Sequence, residues 1–174
     1  MPDNVNSVRE DIVGEIRRAF GHVSRGDGVT LHEATVIDDY GSDEERAVAR
    51  ALDPDLDWQD VPDHLIEEHQ ETLCFVDVKG FCYYLPAYMV WALRHYDGNS
   101  NSFSLDHSIY SLMSSEHKEL REWQSERFSA FKGQQAKAIC RFLRFMALQE
   151  DFVDTKAARE ALEGYWGRFC ESAR

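Results

Sequence analysis

The feature that most constrains this fold is an apolar, aromatic-rich segment in the middle of the chain, over residues 73–96. Two apolar stretches, 73–77 and 81–85, flank a short connection in which Gly80 can adopt the left-handed backbone of a turn. This spacing predicts a β-hairpin over about residues 73–85. Both faces of such a hairpin are apolar, and a lone hairpin is only marginally stable in water. Helices are therefore expected to cover it on both sides.

The aromatic residues of this segment are expected to lie mostly in the core. Seven of them fall between positions 75 and 96. Stacking on nucleic-acid bases requires a basic groove, and the charge nearby is negative, so that role is excluded. An exposed recognition patch built from some of the Tyr and Trp side chains stays open as the alternative.

Helix-start signals and apolar periodicity predict helices on both sides of the hairpin. Capping boxes, in which a hydroxyl and a carboxylate three residues later satisfy free amides, begin at Ser7, Thr30 and Ser42. Pro62 and Pro86 suit the first turn of two further helices. The predicted helices cover about residues 8–22, 31–39, 43–52, 62–69, 86–96, 116–127, 133–148 and, beginning at Asp154 or Thr155, a last one to about 170.

The predicted fold class is therefore α+β, mostly helical, with a central β-hairpin packed between helical layers. A single domain over 1–174 is expected, made of an acidic helical half (about 1–72), the hairpin and a helical C-terminal half (about 86–170). No apolar run approaches the roughly 18 residues of a membrane span. The N-terminus lacks the basic and apolar regions of a secretory signal, so a cytoplasmic location is predicted.

The net charge of −13 lies in one half of the chain. Residues 1–80 hold 20 acidic and 7 basic residues, whereas residues 81–174 hold 12 of each. Between positions 33 and 71 there are 14 acids against only Arg46 and Arg50. Such a field repels nucleic acid and anionic membranes and attracts basic proteins, so a basic protein partner is predicted.

The acidic stretch supplies the predicted partner-binding surface. Part of its charge is ordinary helix-start chemistry, since carboxylates favour the positive end of a helix dipole. The loop 53–63 and the ends of the helices beside it are what remains for function. The predicted partner-binding residues are Glu33, Asp38, Asp39, Asp53, Asp55, Asp57, Trp58, Asp60, Asp63 and Glu67.

An alternative site is a metal cluster on the helix over 31–39. His32 and Glu33 begin that helix, and Asp38 and Asp39 end it, which allows a metal-dependent hydrolase with a histidine base. No HExxH motif, P-loop, nucleophile elbow or dinucleotide fingerprint is present, so a capped helix with a polar face is favoured and no cofactor or catalytic residue is predicted. The acidic loop at 53–57 lacks the glycine and the final glutamate of a calcium loop.

Two further patterns have simple interpretations. The four cysteines form no CxxC pair, so they are expected to be buried, reduced, small apolar side chains. Lys137, Arg141 and Arg144 form one stripe at helical spacing. The stripe faces either the acidic half of the molecule or solvent, and solvent is favoured because surface ion pairs contribute little.

Three blocks carry a resemblance to a known family. They are the HEA-x-x-IDDYG sequence from His32, the segment 75–89 with its YLPAYM sequence, and the segment 134–143, which contains Q-x-x-A-x-x-x-FL. Over about residues 30–148 the chain resembles a family of uncharacterised bacterial proteins. The resemblance implies a bacterial origin and a shared fold, and it carries no catalytic residue.

The function predicted from these observations is a non-catalytic acidic binding protein. A compact acidic bacterial domain without catalytic motifs has the profile of an immunity or inhibitor protein that neutralises a basic toxin, because negative patches speed association with positive partners. A regulator or scaffold that binds no toxin is a third hypothesis.

Overall fold

The computed structural model describes residues 2–54, 57–98 and 102–170, without the side chains of residues 2–4 and 102. The described residues form nine α-helices and no strand. Short 3₁₀ turns lie at Trp58–Asp60, Thr72–Cys74 and Trp166–Phe169. The helices are α1 (Pro2–Phe20), α2 (Leu31–Asp38), α3 (Asp43–Arg50), α4 (Asp63–Glu68), α5 (Val78–His95), α6 (Ser102–Tyr110), α7 (Lys118–Ser129), α8 (Gln134–Met146) and α9 (Thr155–Gly164).

The predicted β-hairpin is wrong, and with it the α+β fold class. The segment 72–74 is a 3₁₀ turn, and α5 runs without interruption from Val78 to His95. Asp77, predicted to close the hairpin, is instead the N-cap of α5, and its Oδ1 accepts a hydrogen bond from the Gly80 amide at 2.9 Å. A short apolar run fits a buried strand and a buried helix equally well, because in both all sides are covered.

Pro86 lies inside α5 and does not begin a helix. Proline has no amide hydrogen, so the carbonyl of Cys82, four residues earlier, lacks its usual helix donor. The helix nevertheless continues through this point, because neighbouring elements enclose it. Pro86 and the residues that follow it to Leu93 are all buried.

α5 is the central element of the core. Helices α1, α4, α6 and α7 contact it, and α8 packs between α1 and α9. Six of the seven aromatic residues predicted for the core are buried, which confirms that interpretation; Phe75 is 38% exposed. Phe81 begins an aromatic cluster in which its ring centroid lies 5.7 Å from that of Phe131, and Phe128 lies 5.0 Å from Trp166.

Glycines hold the beginning of α5 against the loop before α2. An added Cβ on Gly80 would lie 2.5 Å from the carbonyl oxygen of Val29, and one on Gly28 would lie 2.7 Å from the Gly80 amide nitrogen. Asp77 joins the same two segments, since its Oδ1 also accepts from the Val29 amide at 2.9 Å. Gly80 is therefore required for close approach, and not for the predicted turn.

The remaining predicted helices are present with shifted ends. The capping boxes at Thr30 and Ser42 are both formed, which confirms the starts of α2 and α3. The box at Ser7 lies inside α1, so that predicted start is wrong. The prediction for the last helix, to about 170, is too long, since α9 ends at Gly164 and a 3₁₀ turn follows.

The cysteines differ from the prediction of four buried, reduced side chains. Cys140 and Cys170 form a disulfide with 5.6 Å between their Cα atoms, which joins α8 to the segment after the last 3₁₀ turn. Cys74 is exposed and Cys82 is half-buried, both as free thiols. Burial raises the pKa of the Cys82 thiol to about 11. In the part of the chain that the structure describes, no helix combines the length and hydropathy that a bilayer span needs.

Candidate functional site

The fold divides the predicted partner-binding residues into a buried set and an exposed set. Glu33, Asp53 and Trp58 are buried, and none of them is available to a partner at the surface. Asp55 lies outside the described residues. The exposed members are Asp38, Asp39, Asp57, Asp60, Asp63 and Glu67.

Glu33 joins α2 to α3. One carboxylate oxygen accepts a hydrogen bond from Arg46 and the other from Arg50, both at 3.0 Å. The same side chain accepts from the Thr30 amide in the capping box. The two arginines are thus the two basic residues of the stretch 33–71, and both neutralise one buried carboxylate. Arg46 also lies 3.5 Å from the carboxylate of Asp43 at the start of α3.

Asp53 is the second buried carboxylate, and it orients His32. Its two oxygens accept from the His32 amide at 3.0 Å and face the His32 ring Nδ1 at 2.9 Å. Burial alone would raise the pKa of Asp53, but hydrogen bonds from Thr30 and His32 outweigh it and hold the pKa below the usual value. Asp53 therefore stays ionised and fixes the start of α2 to the end of α3.

His69 completes a polar cluster beneath α2. Its ring centroid lies 4.4 Å from that of His32, and its Nδ1 lies 3.2 Å from the Thr35 hydroxyl. The hydroxyl of Tyr88 donates to the His69 carbonyl at 2.6 Å. Burial, together with the neighbouring His32, lowers the pKa of His69. This cluster joins α2, α4 and α5 around a neutral imidazole.

The predicted metal cluster is not assembled. His32 faces Asp53, Glu33 faces two arginines, and Asp38 and Asp39 are exposed at the far end of α2. Among residues 2–54, 57–98 and 102–170 there is no group of three His, Cys, Asp or Glu side chains placed to hold a metal ion.

The lowered pKa of His69 predicts a loss of stability in mild acid. Below the ordinary histidine value of 6.5, the unfolded chain takes up a proton that the folded chain still refuses. The free energy of unfolding should fall as the pH drops through this range and should be unaffected by His69 above it. Urea denaturation from pH 7.5 down to about 5 measures the slope.

The variant His69→Asn should flatten that slope, because it removes the titrating group and keeps an acceptor or donor near Thr35. His64→Asn is the matched control, since His64 is exposed on the same helix. An unchanged slope in His69→Asn, or an equal flattening in His64→Asn, would contradict the assignment.

The exposed acids gather where α2 turns into α3. We call residues 38–45 the acidic tip. It carries Asp38, Asp39, Asp43, Glu44 and Glu45, all exposed, and its sequence contains no Lys or Arg. All five lie at the end of α2 or in the first turn of α3, so the tip projects a dense negative charge into solvent.

Tyr40 lies in the middle of the acidic tip in an unfavourable backbone conformation. Its φ is +56°, which glycine adopts readily and other residues rarely do. The Gly41 amide donates to the Val36 carbonyl at 2.8 Å and the Tyr40 amide to the Ile37 carbonyl at 3.1 Å. This is a Schellman ending of α2, and Tyr40 holds the position at which helices usually place glycine.

The ring of Tyr40 has no role in packing, since the residue is 97% exposed. Two apolar side chains follow on α3 and just beyond it, namely Val48 and Leu52, which are 69% and 60% exposed. The sequence prediction did not include these three residues. The signal for Tyr40 was present in the IDDYG sequence, where a tyrosine precedes the glycine that follows a helix end.

Two exposed acids of the loop 57–67 have local partners. Asp57 caps the 3₁₀ turn by accepting from the Gln59 amide at 2.9 Å. Asp63 lies 3.7 Å from the Nε2 atom of His95. The acidic tip differs from this loop because it carries a large exposed side chain, Tyr40, among its acids.

Comparison with known proteins gives one match. Searches of curated proteins and of solved structures found nothing similar to this chain. One family model, described as a family of unknown function (DUF6714), matches residues 8–169. The match extends beyond both ends of the region over which the resemblance was seen, and it includes all the helices from α2 to α9. The chain belongs to the family of unknown function DUF6714.

Proposed function

We propose that this chain is a non-catalytic binding protein that holds a basic protein partner through the acidic tip. The observation that carries the proposal is Tyr40, a large aromatic side chain that is 97% exposed and lies in a left-handed backbone position among carboxylates. Exposed tyrosines are effective anchors in protein interfaces, because a rigid ring buries a large area at a small entropic cost.

The energetic cost of the Tyr40 backbone conformation supports a role for this residue outside the fold. A left-handed conformation costs a residue with a side chain about 1–2 kcal/mol, which glycine would avoid. Tyr40 returns none of this through packing, since its ring is in solvent. Strain of this kind is found at sites where a side chain must be presented to a ligand. Contacts between the Tyr40 ring and a partner would offset this conformational cost.

The charges support the choice of partner. Five carboxylates of the tip are exposed on either side of Tyr40, and of these Asp43 also pairs with Arg46, whose other contact is Glu33. A partner with a basic surface gains electrostatic steering toward this tip, and its apolar side chains can pack on the ring of Tyr40. Rim charges of this kind mainly change the association rate and its dependence on salt.

The finer identity of the partner is part of the same proposal. The resemblance to bacterial proteins and the acidity of the chain support a basic bacterial toxin as the partner, with this chain as its immunity or inhibitor protein in the cytoplasm. A basic regulatory protein would use the same surface chemistry. The partner's own activity distinguishes the two once it is isolated.

Substitutions in the acidic tip should abolish partner binding without unfolding the protein. The test uses Asp38→Lys/Asp39→Lys and, separately, Tyr40→Gly, each as bait for capture from the native cell. Lysines at the end of α2 favour its dipole, and glycine relieves the left-handed strain, so both variants should be at least as stable as the wild type. We expect wild-type bait to retain one basic protein. Its affinity should decrease as the NaCl concentration is raised from about 0.05 to about 0.5 M.

The matched control is Glu116→Lys/Glu163→Lys, which changes the net charge equally at two exposed positions of other segments. It should retain the partner. Equal retention by the tip variants, or retention that is insensitive to salt, would count against the acidic tip. A captured protein that binds Asp38→Lys/Asp39→Lys normally but not Tyr40→Gly would remove the electrostatic part of the proposal.

A further inference from the structure

A large groove lies on elements separate from the acidic tip, between α1 and α8. Its volume is about 770 Å³, within the range of small-molecule sites. Apolar side chains from both helices and from the C-terminal 3₁₀ turn form its floor and ends. They are Val8, Ile12, Ala19, Ala138, Phe145, Leu148 and Phe169.

The rim of this groove is basic, in contrast to the molecule as a whole. Arg18 from α1 and Lys137, Arg141 and Arg144 from α8 line it, with Glu15 as the acidic member. Glu15 forms an ion pair with Arg141, so the charge of that guanidinium is neutralised locally. The stripe 137–144 extends about 10 Å along α8, given a rise of about 1.5 Å per residue. The stripe lines this groove together with α1, a helix of the acidic half of the chain, and Arg141 pairs there with Glu15.

The combination of floor and rim defines the ligand class. An apolar floor of this size takes a hydrocarbon chain, since burial of each methylene contributes about 0.8 kcal/mol. A basic rim beside it takes an anionic head group, because arginine donors bind carboxylates through charge-assisted hydrogen bonds. Leu148 is 76% exposed at the groove, so apolar surface is available to a ligand without any rearrangement.

A chain with a net charge of −13 otherwise repels anions. A cluster of positive side chains on such a molecule indicates a local site for an anion, because the net charge of the whole protein would repel one. The volume of the groove is in the range of small-molecule sites and is large enough for one acyl chain.

We propose that the groove between α1 and α8 binds a free single-chain anionic amphiphile of the fatty-acid class. The alkyl chain lies on the apolar floor, and the carboxylate meets the cations of α8. This site is independent of the binding of a basic protein at the acidic tip.

Calorimetric titration with dodecanoate at physiological salt tests the proposal on the intact chain. We expect saturable binding of one equivalent by the wild type. Lys137→Glu/Arg144→Glu should weaken it by roughly tenfold or more, since charge-assisted hydrogen bonds are lost and repulsion is added. Leu148→Gln should weaken it by a few-fold through lost apolar contact, roughly as expected for part of one buried side chain.

Three comparisons make the result decisive. Lys118→Glu/Arg121→Glu, the same charge change on the exposed face of α7, should bind dodecanoate normally. Dodecanol, which keeps the chain and loses the charge, should bind more weakly than dodecanoate to the wild type. Equal binding of dodecanol, or equal loss in the α7 variant, would overturn the proposal.

A preference for anionic lipid vesicles over free dodecanoate would also overturn it, because the groove would then be part of a membrane-contact surface. All the substitutions are at exposed or half-exposed positions, and circular dichroism of each variant should match the wild type. None of these outcomes bears on the acidic tip, whose residues are unchanged in every variant.

Discussion

Replacing Gly80 with alanine is expected to lower the free energy of unfolding by about 2–3 kcal/mol, as for other overpacked sites. The new Cβ would lie 2.5 Å from the Val29 carbonyl oxygen and 3.0 Å from the Val76 Cβ. The first of these atoms belongs to backbone, which cannot rotate away. Alanine favours a helix over glycine by about 1 kcal/mol, so the steric term must exceed that gain for the prediction to hold.

Urea denaturation of Gly80→Ala gives the midpoint and slope that decide this. Gly164→Ala is the matched control, because its added Cβ would meet only ordinary contacts with Ser114 at 3.5 Å. It should change stability by no more than about 0.5 kcal/mol, the range of ordinary surface substitutions. A Gly80→Ala protein as stable as the wild type would mean that the loop before α2 is not held against α5.

Gly80 also shows why the central segment was assigned wrongly from its sequence. A glycine between two apolar stretches is typical of a hairpin turn, and it is equally required where two backbones touch. Only the position of Val29, 51 residues earlier in the chain, separates the two cases. Local sequence contains no information on that contact, and the N-cap signal at Asp77 was therefore interpreted as a strand end.

Local signals did predict the elements around it. The Thr30 and Ser42 capping boxes give the starts of α2 and α3 because the carboxylate and hydroxyl that satisfy the free amides are three residues apart. The periodicity of α8 likewise holds over most of its length, since one face is buried against α1 and α9. A structural signal that involves only the residues of one helical turn can be recognised from the sequence alone.

The candidate site was predicted only in part, for a related reason. Counting charges identified the acidic stretch, but it could not show which carboxylates meet arginine or histidine across the fold. Glu33 and Asp53 are neutralised or satisfied by Arg46, Arg50 and His32, whereas Asp38 and Asp39 are left in solvent. Whether one of these carboxylates is paired inside the fold or exposed to a partner depends on residues 13–21 positions away in the sequence.

Tyr40 and the groove were not predicted for the same reason. The exposure of Tyr40 follows from the turn between α2 and α3, and the groove requires α1 and α8 side by side. The basic stripe of α8 was visible in the sequence, but its meaning depends on the apolar floor supplied by a helix more than 100 residues away. Surfaces of this kind form only when elements distant in sequence pack together, so local sequence patterns do not predict them.

Trp58 is the predicted partner anchor that the fold buries, and Trp58→Ala should destabilise the protein by about 3–5 kcal/mol. The residue is 1% exposed, and its indole Nε1 donates to the Phe20 carbonyl at 2.9 Å, at the end of α1. Its contribution is chiefly packing, because the Phe20 carbonyl also accepts from the Val23 amide at 2.9 Å and is not orphaned by the substitution. Urea denaturation measures the loss.

Trp58→Phe separates the two terms, since it keeps most of the ring volume and removes the hydrogen bond. It should cost about 1 kcal/mol for the bond, with a further small packing loss. Trp123→Ala is the matched control for the alanine variant, because Trp123 is 38% exposed on α7, with its ring 4.3 Å from the guanidinium carbon of Arg127. That change should cost about 0.5–1 kcal/mol. If Trp58→Ala loses no more stability than Trp123→Ala, Trp58 is not a core residue. The loop 57–67 would then again be a candidate partner-binding surface.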